Sequence, residues 1–170
     1  MGVEVKAAKS LGRMLTWHAW GIDWEGDQKL AQGLLEENGL KGSNAVDTPG
    51  VKEDFVGPDD QRELMKPAEA AQFRRGAAKL NYLAQDRLDL SFAAKEVSAR
   101  MAAPKVGDEV ALKRVIRYLR LYPRWITHYT WQDPVADLVL FSDSDWGGCT
   151  RTRRSTSGGI LMRGCHVLQH

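Results

Sequence analysis

The spacing of apolar residues changes along the chain, and each change predicts a different element. Between residues 11 and 24, Leu15, Trp17, Ala19 and Trp20 precede Gly21, and Ile22 and Trp24 follow it. This rough alternation predicts a β-hairpin. Asp27 then suits a helix N-cap. Leu30, Leu34 and Leu35 form a short apolar stripe, and Gly39 suits a helix stop. Residues 42–67 lose all periodicity. Asp47-Thr48-Pro49-Gly50 and Gly57-Pro58-Asp59-Asp60 are turn chemistry, so the stretch reads as an exposed connection between two packed units.

From Pro67 the helical period returns. Phe73, Ala77, Leu80, Leu83 and Ala84 predict one helix, with Pro67 near its first turn, where a missing N–H costs nothing. A second helix is expected over 88–101, with Phe92, Ala93, Val97 and Met101 on its inner face and Asp89 as cap. A third runs over 109–121, its inner face formed by Leu112, Val115, Ile116 and Leu119, and Pro123 stops it. The period changes again at Leu138-Val139-Leu140-Phe141. Two further apolar runs, 159–162 and 165–168, flank Arg163-Gly164. Three antiparallel strands are expected there. The fold class is therefore α+β: an N-terminal hairpin and helix, a central three-helix unit, and a C-terminal three-stranded antiparallel sheet.

Composition narrows this picture only slightly. The 170 residues suit one ordinary domain or two small ones, and 43% hydrophobic content excludes a disordered chain. A net charge of +2 is too small to argue for nucleic acid, so the position of the charge matters more. Cys149 and Cys165 have neither metal-ligand spacing nor a disulfide framework, which suits a reducing compartment. No run approaches the roughly 20 apolar residues of a membrane span, and the first ten residues are mixed and charged. A soluble, intracellular chain without a membrane partner is expected. Walker A, GxSxG and HExxH motifs are absent, so serine or cysteine nucleophile chemistry has no support.

Three segments could carry chemistry. In Phe141-Ser142-Asp143-Ser144-Asp145-Trp146-Gly147-Gly148, a carboxylate leaves an apolar strand and enters a glycine turn. Such an oxygen suits a hard divalent cation, whose other ligands can be water and phosphate. The alternative is that Asp143 and Asp145 only cap a turn. Lys113, Arg117 and Arg120 share one face of the third helix, with Arg114 and Arg124 nearby. That face is either a track for phosphates or a solvated cationic surface. Arg151, Arg153 and Arg154, among Thr and Ser hydroxyls, could hold a nucleic-acid strand near Asp143 or be a charged surface loop. The tryptophans 17, 20 and 24 read as hairpin packing, and histidine metal ligation has little support.

The order of these segments resembles the copia-type retrotransposon polyprotein. Ala77-Ala78-Lys79-Leu80-Asn81-Tyr82-Leu83, then Asp86-Arg87-Leu88-Asp89, then Met101-Ala102-Ala103-Pro104, is similar to the family's helices after the polymerase domain. Leu88 replaces the family's Pro. Lys113-Arg114-Val115-Ile116-Arg117-Tyr118-Leu119 resembles its Lys-Arg-hydrophobic-x-Arg-Tyr-Leu helix. The acidic turn resembles Tyr-Ser-Asp-Ala-Asp-Trp-Ala-Gly, and Arg154-Ser155-Thr156-Ser157-Gly158 resembles Arg-Ser-Thr-Ser-Gly. Leu11-Gly12 resembles the primer-grip region, and Asp47-Thr48-Pro49 the Thr-Pro after the first thumb helix.

The resemblance implies an organisation and roles. Residues 1–41 would end the reverse transcriptase palm and begin the thumb, 42–67 would be a linker, 68–134 thumb- and connection-like helices, and 135–170 a truncated ribonuclease H-like domain. Asp143 would be the first catalytic carboxylate and a Mg2+ ligand in the intact parent enzyme. Lys113, Arg117, Arg120, Arg151, Arg153 and Arg154 would contact an RNA–DNA hybrid. The remainder of the polyprotein would be a partner. The polymerase Tyr-x-Asp-Asp turn and the later ribonuclease carboxylates are absent from these residues, so the fragment alone is expected to be inactive. A non-catalytic nucleic-acid-binding module and a pseudogene remnant are the competing readings.

Overall fold

The computed structural model describes residues 6–50, 63–149 and 153–170. The chain is α+β, with four α-helices and two antiparallel sheets among the described residues. The expected hairpin is the centre of a larger sheet. Strands β1 (Lys6–Ser10), β2 (Arg13–His18) and β3 (Gly21–Gly26) form a meander, and β4 (Ile126–Thr130) pairs with β3. The β1–β2 turn is Leu11-Gly12, both with positive φ (48° and 77°). That conformation matches the twist of a tight hairpin. β1 escaped sequence reading because Lys-Ala-Ala-Lys-Ser is exposed throughout and carries no alternation.

Helix α1 (Gln28–Glu37) begins where its cap is. The Asp27 carboxylate accepts the Lys29 backbone N–H at 3.0 Å. The helix ends at Asn38 and Gly39, whose φ of +64° reverses the chain. Its buried residues are Ala31, Leu34 and Leu35. These join α2 (Pro67–Ala84), α3 (Ser91–Ser98) and α4 (Asp108–Leu121) in one hydrophobic core. Phe73, Ala77, Leu80 and Leu83 come from α2, and Leu112, Val115, Ile116 and Leu119 from α4, as their spacing predicts. At Gly76 α2 comes close to α4: a Cβ there would lie 2.9 Å from the Leu112 side chain.

The second predicted helix needs several corrections, and it ends at Ser98 instead of residue 101. It starts as a 3-10 turn, Leu88–Leu90, and continues as α3. Asp89 does not cap it. The Asp89 carboxylate instead accepts two bonds from the buried Arg87 guanidinium (3.1 and 2.7 Å) and one from the Tyr118 hydroxyl (2.9 Å). Phe92 does not face the core either. Ala93, Ala94 and Val97 form the inner face, and Phe92 is 60% exposed. A narrow alanine face brings α3 close to α2 and leaves no room for a phenyl ring.

The sheet and helices are tied by ion pairs. Asp86, just after α2, accepts from Arg13 on β2 (2.8 Å) and from the Trp24 indole (3.1 Å). Arg124 leaves the basic stripe and holds the Glu25 carboxylate with two bonds of 2.8 Å. The hydrogen bonds from Arg124 keep that carboxyl below its usual range. Residues 42–50 follow the helices, with Val46 packed against the core.

Burial, then the bond to Asp89, pushes the Tyr118 hydroxyl from 10.0 up to about 12. Only the neutral phenol fits the fold well. Its contribution to stability is complete below pH 10 and is lost as pH rises toward 12. Tyr118→Phe should therefore flatten part of the alkaline fall in stability across that window, measured by urea unfolding. An unchanged slope would show that Tyr118 ionises as readily folded as unfolded.

The C-terminal sheet has the order β5 (Val139–Ser144), β6 (Ser157–Arg163), β7 (His166–Gln169). It touches the rest through polar bonds: Tyr129 hydroxyl to the Val167 carbonyl (3.2 Å), His170 to the Ala84 carbonyl (3.3 Å) and Lys95 to the Thr156 hydroxyl (2.9 Å). Leu138, Leu140 and Phe141 stay exposed.

Candidate nucleic-acid interface

Alternation decides which side chains on β5 can act together. The register pairs Phe141 with Ile160 and Asp143 with Gly158, so these four positions share one sheet face. That face and α3 bound an open groove of about 560 Å³, whose lining includes Leu88, Phe92, Lys95, Phe141, Asp143 and Gly158. Asp143 is exposed, and its Oδ1 accepts the Ser144 backbone N–H at 2.8 Å. Opposite it, Gly158 adds no side chain, and a Cβ there would meet nothing within 4 Å. The space beside the carboxylate is thus open because the facing residue is glycine.

Asp145 has a different task. Its backbone N–H donates to the Thr156 carbonyl (3.0 Å), and its carboxylate accepts the Thr156 N–H. Gly147, at φ +59°, turns the chain just beyond it. At Gly148 a Cβ would fall 2.0 Å from Asp145 Oδ2. The turn-capping role therefore belongs to Asp145, and Asp143 is left at the groove. Among the described residues, no three His, Cys, Asp or Glu side chains are gathered closely enough to hold a metal ion. A single carboxylate with water and phosphate can serve one magnesium ion. It does not make the set of carboxylates that a two-metal reaction requires.

The basic candidates are distributed differently from the expectation. Lys113 pairs with Glu109 one turn back (2.9 Å). Arg117 donates to the Asn44 carbonyl, and its neighbour Arg114 donates to the Thr48 hydroxyl (2.9 Å). Arg114 and Arg117 thus hold residues 42–50 against α4. Arg120 is exposed at the end of the helix. Arg153 and Arg154 are exposed on the β5–β6 connection, where Arg153 adopts φ +57° and its N–H donates to the Cys149 carbonyl (2.8 Å). Arg151 lies outside the described residues. None of the described ones lines the groove that holds Asp143.

The cation in that groove is Lys95, which sequence reading passed over. Its ammonium donates to the Thr156 hydroxyl (2.9 Å), pairs with Glu96 (2.6 Å) and lies 5.2 Å from the centre of the Phe92 ring. The signal was present in the spacing. Leu88, Phe92 and Lys95 step by four and three, which is a second stripe along the same helix.

Fold and groove together define a class: an α+β chain in which a helical core faces a short antiparallel sheet bearing a strand-end carboxylate. Neither a protein-family model nor a solved structure matches the chain. Several Arabidopsis thaliana proteins are similar in sequence, among them these three. The uncharacterized mitochondrial protein AtMg00810 is 31% identical over 160 residues, covering 93% of this chain. The retrovirus-related Pol polyproteins from transposons RE2 and RE1 are 36% and 33% identical, each over 79% of this chain. The chain belongs to the copia-type retrotransposon polyprotein family. It spans 63% of the mitochondrial relative's length and 9% of each Pol polyprotein.

Proposed function

We propose that this chain is the segment of a retrotransposon polyprotein where reverse transcriptase ends and ribonuclease H begins, and that it contacts an RNA–DNA hybrid. In this reading residues 1–41 close the palm and open the thumb, 42–67 link, 68–134 are thumb- and connection-like helices, and 135–170 open the ribonuclease H-like domain. The observation that carries it is Asp143: an exposed carboxylate one residue from the end of a strand, facing an open groove with Lys95 across it. The relatedness to Pol polyproteins over most of the chain supports the same reading.

Asp143 would be one ligand of Mg2+ in the intact parent. Asp143 is the one acidic side chain lining the groove, and among the described residues no three His, Cys, Asp or Glu side chains gather to hold a metal ion, so these residues alone should not cleave. Incubation of the purified chain with labelled hybrid and magnesium should leave the RNA strand intact. Cutting that disappears in Asp143→Asn would overturn that expectation. Hybrid binding should weaken as salt rises, because phosphate contacts release counterions. A chain that fails to bind hybrid at low salt would count against the reading as a whole.

A further inference from the structure

One large side chain of the acidic turn is left outside the fold. The Trp146 indole is 98% exposed, so both ring faces meet solvent. Other tryptophans are engaged: Trp24 donates to Asp86, Trp131 donates to the Ala19 carbonyl and Trp20 stacks on His18. The backbone that carries Trp146 is nevertheless held on both sides. Asp145 exchanges two bonds with Thr156, and the Gly147 N–H donates to the Ser155 hydroxyl (3.1 Å). Exposed Arg153 lies alongside, since a Cβ on Gly147 would sit 3.5 Å from the Arg153 carbonyl. We infer that Trp146 stacks on an unpaired base of a nucleic-acid strand and that Arg153 holds a phosphate of the same strand. The inference rests on the nucleic-acid reading above and adds a feature of the substrate: a single-stranded segment adjoining the hybrid.

The physical argument starts from the indole. A tryptophan ordinarily buries roughly 150–250 Å², and one left wholly in water keeps that gain for a partner. Its faces accept any base, because every base has a π-face. A base within a duplex is covered on both faces by its neighbours, so the occupant is unpaired. The bonds at Asp145 and Gly147 fix the backbone beforehand, and stacking then orders only two side-chain torsions. A protein-binding anchor stands instead in a well-packed, desolvated patch. Along this turn the neighbours of Trp146 are Asp145, two glycines, Arg153 and Ser155. The Asp145 carboxylate is already committed to the Thr156 N–H. Arg153 keeps a left-handed φ of +57°, uncommon for a residue with a side chain. Its planar guanidinium suits two parallel bonds to a phosphate.

The test is fluorescence anisotropy with the whole chain at low salt. The probes are a labelled blunt RNA–DNA hybrid, the same hybrid with a short single-stranded overhang, and a version whose overhang is abasic. The overhang should tighten wild-type binding by about tenfold, the size expected for one stacked base, and the abasic overhang should lose most of that gain. Trp146→Ala should erase the difference between the two overhangs and leave blunt binding unchanged. Trp146→Phe, which keeps an aromatic face, should retain part of it. At 98% exposure neither substitution disturbs packing. Arg153→Gln should reduce the salt slope for the overhang by about one, and an unchanged slope would remove the phosphate contact from the inference. If wild type binds blunt and overhang hybrids equally, or Trp146→Ala keeps the full preference, the subsite does not exist while the broader function stands. If wild type binds none of the probes, both fall together.

Discussion

Asp108→Ala should lower the unfolding free energy by about 3–5 kcal/mol, the usual cost of removing one member of a buried ion pair. Asp108 opens α4 with its side chain 3% exposed, and one carboxylate oxygen lies 2.8 Å from Arg100, itself 7% exposed. The other oxygen accepts the Lys105 backbone N–H at 2.8 Å. One side chain therefore serves the buried guanidinium, the turn before the helix and the positive end of the helix dipole. Alanine removes all three contributions and deprives Arg100 of this carboxylate. Asp108→Asn, which keeps a hydrogen-bonding oxygen and loses the charge, should fall between. Urea unfolding followed by circular dichroism measures both. A loss below about 1 kcal/mol for alanine would mean that Arg100 reaches water or another partner at little cost.

How far such features were legible depends on whether their cause is local. Asp27, Leu34 and Gly39 carry the start, face and end of α1 within a dozen positions, and the structure follows them. The inner face of α4 is equally local, because four aliphatic residues at helical spacing have one way to be buried. β4 is different. It pairs with β3 across about a hundred intervening residues, and nothing near residue 126 announces that partner. Asp108 belongs with β4 in this respect: its partner Arg100 lies across a turn, and an acidic residue in a first helical turn is ordinary by itself.

The site divides the same way. The strand-end position of Asp143 could be read from the apolar run before it and the glycines after it, and the structure places it on an exposed strand. What faces it could not be read so directly. Lys95 comes from a helix whose outer face also carries Phe92, whereas a phenylalanine in a helix is usually an inward residue. Three alanine- and valine-bearing positions already fill that interior. The α4 stripe poses the opposite difficulty. Its spacing is regular, yet Arg114 and Arg117 are occupied by Thr48 and Asn44, and periodicity does not distinguish a cation that waits for phosphate from one that clamps a neighbouring segment.

Leu34→Ala is the second large effect, about 3 kcal/mol within the 2–5 expected when a fully buried leucine is truncated. Leu34 is 0% exposed and belongs to the core that also holds Leu80, Ile116 and Leu119. A cavity there is enclosed by elements from 28 to 121, so the fold cannot close it by moving a loop. The consequence reaches beyond magnitude. Because α1 shares its core with α2, α3 and α4, the loss should appear as a shift of one helical unfolding transition, not as the early melting of a separate N-terminal unit. Amide exchange in β5, β6 and β7 should change little at temperatures where the variant remains folded, since none of their side chains belongs to that core. Two resolved helical transitions, with Leu34→Ala moving one of them alone, would show that the N-terminal part and the three-helix unit fold independently despite the leucines they share.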